Sequence, residues 1–140
     1  MARTVIPGAH PAIAWIKYDQ YDSPVMKFNL AVLRNGAENA IQNFRSVPGK
    51  GGAATHLPEN GINSLGYQLL RAKKVEEAIR IFQLNVEWYP ESWNVYDSLG
   101  EDYLAHGDKD LAIKNYGKSV ELNPANSAGI QKLKELNSNK

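Results

Sequence analysis

From residue 59 onward the apolar positions recur at helical, not alternating, spacing. Ile62, Leu65, Leu69 and Leu70 share one side of a predicted helix. The polar pair Lys73-Lys74 interrupts them, and Ala78, Ile79, Phe82 and Val86 resume the pattern on a second helix. Pro90 ends the unit, because proline cannot continue a helix. The same succession follows in Tyr96, Leu99, Tyr103, Ala112, Ile113, Tyr116 and Pro124. There the turn is Ala105-His106-Gly107-Asp108, with Gly107 suited to close the first helix and Asp108 to cap the next.

Residues 59–92 align with 93–126 at a shift of 34 with ten identities, among them Asn60/Asn94, Leu65/Leu99, Gly66/Gly100, Ala78/Ala112 and Pro90/Pro124. Unrelated segments of that length would share about two. Small Gly66 and Ala78 fall where paired helices would approach most closely, and Phe82 would fill the gap between them. The period, the two helices per unit and these special positions resemble the tetratricopeptide repeat (TPR) over 59–126. Asn85 and Ser119 depart from the family pattern, which usually has a small Ala there. The resemblance implies an all-α fold, a short TPR solenoid of antiparallel helix pairs.

Two repeats bury little, and solenoids need more units plus caps. The flanks supply them. Residues 127–140 read as a capping helix and tail, with Ile130, Leu133 and Leu136 on one stripe and Gln131, Lys132, Lys134 and Glu135 outside it. Residues 24–46 read as a degenerate TPR-like helical pair, 24–35 and 37–46, broken at Gly36. In it Ala40, Ile41 and Phe44 copy the spacing of Ala78, Ile79 and Phe82. The Gly/Pro-rich stretch 47–58 is expected to be a flexible loop. Residues 1–23 find no place in the repeat, yet Ile13, Trp15, Ile16 and Tyr18 are too apolar for a free tail and should pack on the helices or on a partner.

Composition narrows the chemistry. Among 140 residues there is no cysteine, which excludes disulfides, thiolate catalysis and cysteine zinc sites. Net charge is +1, divided as +3 over 1–58 and −2 over 59–140, too balanced to favour nucleic acid or an anionic membrane. The opening MARTVIPGAHPAIAWIKYD does not read as a signal peptide, and no apolar run reaches bilayer-spanning length, so a cytoplasmic protein is expected. Pro48-Gly49-Lys50-Gly51-Gly52 lacks the spacing of a phosphate-binding loop. His10, His56 and His106 lie far apart, in predicted turns or loops, and read as exposed turn residues and not metal ligands. No cofactor is implied.

The stretch from about residue 26 also resembles the TPR tail that follows bacterial serine hydrolases of the β-lactamase/penicillin-binding and esterase types. Their nucleophile motifs are missing: there is no Ser-x-x-Lys and no Gly-x-Ser-x-Gly. The chain therefore reads as the accessory module without the enzyme. In the TPR family the first helix of each repeat lines a concave groove holding a peptide or helix. The motif carries that role to Asn60, Asn63, Ser64, Tyr67 and Arg71, then to Asn94, Asp97, Ser98, Glu101 and Ala105. The Lys/Asn clamp with which some members hold a terminal carboxylate is absent, since Asn63, Tyr67 and Asp97 stand in its places. Among the aromatics, Tyr67 and Trp93 are the better candidates for exposed contacts. The expected function is protein–protein interaction without catalysis. The alternatives are a self-associating module, a homodimer exchanging 1–46, and an accessory subunit of a hydrolase.

Overall fold

The structure, a computed structural model, describes residues 23–46 and 56–138. Among them are seven α-helices and no strand: α1 (Pro24–Asn35), α2 (Ala37–Ser46), α3 (Glu59–Arg71), α4 (Val75–Trp88), α5 (Trp93–His106), α6 (Lys109–Leu122) and α7 (Ser127–Ser138). They form an all-α helical repeat solenoid. Helices α1/α2, α3/α4 and α5/α6 pack as pairs. Adjacent pairs stack through α1 on α3, α2 on α4, α3 on α5 and α4 on α5, and α7 lies on α6.

The close approaches fall at the small residues. A methyl group added to Gly66 would lie 2.5 Å from the ring of Phe82, so the two helices meet only because Gly66 has no side chain. Phe82, Ile62, Leu65, Ala78, Ile81 and Leu84 have no solvent exposure at the centre of the core. Ala40 and Ile41 of α2 join the same core, with Phe44 packed against it. Asn85 and Ser119 are fully buried, so each must find a partner inside. Asn85 Nδ2 donates to the Glu59 carbonyl at 3.1 Å.

The turn signals act in register. Gly107 (φ +92°) closes α5, with Asp108 N–H donating to Tyr103 O (2.8 Å) and Gly107 N–H to Leu104 O (3.1 Å). Asp108 then caps α6 by accepting from Leu111 N–H at 3.2 Å. The same bonds recur 34 residues earlier, Lys74 N–H to Leu69 O and Lys73 N–H to Leu70 O. There a lysine, Lys73, takes the left-handed conformation at φ 60°. Ser23 caps α1 by accepting from Met26 N–H at 3.1 Å.

Of the expected flexible loop, 47–55 lie outside the described residues, and the last three residues are tied down. Leu57 is buried, its carbonyl accepts from Tyr89 Oη at 2.6 Å, and His56 stacks on Trp88 with centroids 4.8 Å apart. His56 is therefore half-buried, not an exposed turn residue, because Trp88 offers it a flat apolar face. His10 and residues 1–22 lie outside the described residues.

Candidate functional site

The first helices α1, α3 and α5 stand side by side, and their exposed positions form the candidate interface. Tyr67, midway along α3, lays its ring edge-on to Phe82 at 5.2 Å and sends its hydroxyl across to α5. That O–H donates to Glu101 Oε2 at 2.8 Å and lies 3.3 Å from Ser98 Oγ. Burial pushes the Tyr67 phenol up to about 12, against the hydrogen bond from Ser98, and Glu101 adds to the rise. At neutral pH Tyr67 is therefore a fixed, uncharged donor.

The other residues assigned from the motif separate into groups. Tyr67, Ser98 and Glu101 come together, with Ser98 buried behind the aromatic and Glu101 exposed. Asn60 and Arg71 sit exposed near the two ends of α3, with no hydrogen bond or ion pair among the described residues. Asn63 is half-buried, and its Oδ1 is buried without a partner. Asn94 Nδ2 donates to Glu59 Oε1 at 3.3 Å, as does Ser92 Oγ at 3.0 Å. Asp97 turns to the C-terminal end: its Oδ1 accepts from Asn126 Nδ2 at 2.8 Å and lies 3.4 Å from Ser119 Oγ. The like charges Asp97 and Glu101 thus each have a separate hydrogen-bond donor. Trp93, at the start of α5, is 37% exposed.

Two features escaped the sequence reading. Asp102 of α5 is fully buried, and neither carboxylate oxygen has a hydrogen-bond partner. Burial pushes its carboxyl up to about 7, His106 pulls it back, and Glu101 and Glu76 add to the rise. A signal was present, since Asp102 continues the stripe Val95-Leu99 one turn further. The second is Glu76-Glu77 at the start of α4. Glu76 meets His106 Nε2 at 2.7 Å, and Glu77 accepts from the Ala37 N–H at the start of α2. Adjacent carboxylates thereby fasten α4 to the repeats on both sides. Arg45–Glu87 and Arg80–Glu38, each 2.6 Å, add exposed pairs between α2 and α4.

Among the described residues no three His, Asp or Glu side chains converge as a metal site, and no helix is long and apolar enough to cross a membrane. No family model matches the chain. Human superkiller complex protein 3 is 32% identical over 68 residues, and the mouse protein of that name is likewise 32% identical over 68 residues. The matched stretch is 49% of this chain but 4% of either relative, so the chain spans a small fraction of the proteins it matches. That similarity to a TPR-containing protein and the helical repeat together fit a TPR-like family. The resemblance to hydrolase tails finds no support in these comparisons.

Proposed function

We propose that the chain is a non-catalytic module that holds a peptide or helix of a protein partner along the face formed by α3 and α5. The observation that carries this reading is the arrangement around Tyr67. An aromatic side chain is fixed by Phe82 below and Glu101 beside it, between exposed Asn60 and Arg71 on the same helix. A rigid aromatic with a polar rim is what hot spots are made of, because little side-chain entropy remains to be lost on binding. The distant similarity to a TPR-containing protein supports a protein as ligand, with identity left to the chemistry of the face. Asn94, Asp97 and Ser98 serve this face from behind, through their bonds to Glu59, Asn126 and Tyr67, while Asn63 stands half-buried beside it.

Partner capture with the full chain tests the proposal. Tyr67→Ala and Glu101→Lys should each weaken capture at least about tenfold. Lys114→Glu, an exposed change on α6, should leave it intact. Equal capture by all variants would contradict the assigned face.

A further inference from the structure

Among the described residues Asp102 is the only buried carboxyl, and the capture of a partner makes no use of it. It lies on the side of α5 that carries Val95 and Leu99, and neither of its oxygens has a donor. A carboxylate in such a place is strongly disfavoured, so the side chain either holds a proton or leaves. The neighbouring charges sharpen that choice. Glu101 of α5 and Glu76 of α4 oppose a further negative charge, and only His106 of α5 favours one. Tyr67 of α3 and Tyr116 of α6, which pack against α5 from its other sides, stay uncharged at neutral pH because burial raises both phenols. Together these surroundings place the loss of the Asp102 proton at about pH 7.

Asp102 cannot leave alone. The residues around it carry bonds that join α5 to α3 and α4. Glu101 Oε2 accepts from Tyr67 Oη at 2.8 Å, and Tyr103 Oη accepts from Gln83 Nε2 at 3.0 Å. One turn further on, His106 Nε2 meets Glu76 Oε1 at 2.7 Å. A helical turn that rotates or unwinds to bring Asp102 to water carries Glu101, Tyr103 and His106 with it. The first turns of α5 are held by other bonds, Asn94 to Glu59 at 3.3 Å and Asp97 to Asn126 at 2.8 Å, so the movement is confined to residues 98–106. We propose that Asp102 is a proton-operated latch. With its proton it keeps residues 98–106 docked on α3 and α4. Without the proton that stretch is released, Glu101 parts from Tyr67, and capture at the face proposed above weakens, a last step that rests on that assignment.

Hydrogen exchange of the full chain tests the latch without any partner, so its outcome does not depend on whether the face captures one. The docked carboxyl holds its proton up to about pH 7 and the released one does not, so rising pH favours release. After correction for the intrinsic pH dependence of exchange, residues 98–106 should open roughly tenfold more at pH 8 than at pH 6, while α2 should not change. Asp102→Asn should abolish the difference, and Asp102→Leu, of similar size and also uncharged, should do the same. An equal rise in every helix, no rise in the parent chain, or a rise that persists in both variants would overturn the proposal. In partner capture the parent chain should bind up to about tenfold more weakly at pH 8 than at pH 6, and Asp102→Asn equally at both. Capture by the parent chain that is equal at the two pH values would overturn the control of binding. Capture absent at both would instead overturn the face itself, and the exchange result would then decide the latch alone.

Discussion

Gly66 and Gly100 occupy the same place in successive repeats, yet a methyl group meets a different obstacle at each. At Gly66 it would stand 2.5 Å from the Phe82 ring, which is fully buried and has nowhere to move. At Gly100 it would stand 3.2 Å from Tyr116, a gap that a small shift of the ring relieves. Replacing a mid-helix glycine by alanine also gains ~1 kcal/mol of helix propensity. Gly66→Ala should therefore cost ~2–3 kcal/mol in denaturant unfolding, while Gly100→Ala should be near neutral. Asp102 offers a second test at this scale. Its folded carboxyl, near 7, stands above the ordinary 3.8, so the folded chain keeps a proton that the unfolded chain releases. The stability tied to that proton is complete below pH ~4 and is lost as pH rises through about 7. Asp102→Asn removes the dependence, and its melting temperature should exceed the parent's at pH 8 by the equivalent of ~2–4 kcal/mol, with the two converging towards pH 4. A constant difference across that range would show that Asp102 does not carry the proton.

The helices themselves were largely legible. Gly107 and Asp108 announce the end of α5 and the start of α6, and both act as their residue types require. The matching turn at 72–74 carries no such signal, because Lys73 takes the left-handed conformation in glycine's place. The helix spacing found the face of α5 but not what comes to meet it. Asp97 was assigned to the groove, yet the chain beyond α6 returns Asn126 to its carboxylate. Asn126 does three things at once. Its Oδ1 caps α7 by accepting from Gly129 N–H at 3.0 Å, and its Nδ2 donates to Asp97 and to Ser119. Asn126→Ala should cost about 2–3 kcal/mol, combining a lost helix cap with a carboxylate left without its donor. Hydrogen exchange should show the loss first in α7, and uniform weakening of α3 and α4 would point to some other cause.

At the scale of the whole molecule, the period of 34 was enough to read the order of the pairs, since each unit buries its apolar faces only against the next. What holds neighbouring units in register was not legible. Glu76–His106 bridges 30 residues and Arg80–Glu38 bridges 42, and no local pattern links positions so far apart. The burial of Asp102 was only half legible: Val95 and Leu99 foretell a packed stripe, but only the approach of a neighbouring element decides that it extends over a charge. The candidate face is a product of that stacking, because Tyr67 and Glu101 belong to different repeats and meet only when α3 and α5 lie side by side. The most direct test of that face is to place a photo-crosslinking side chain at Arg71, exposed on α3, and in a separate protein at Lys114, exposed on α6, and to irradiate each in cells. The account predicts discrete adducts to another protein from position 71 and none from position 114. The same adducts from both, or from position 114 alone, would contradict it.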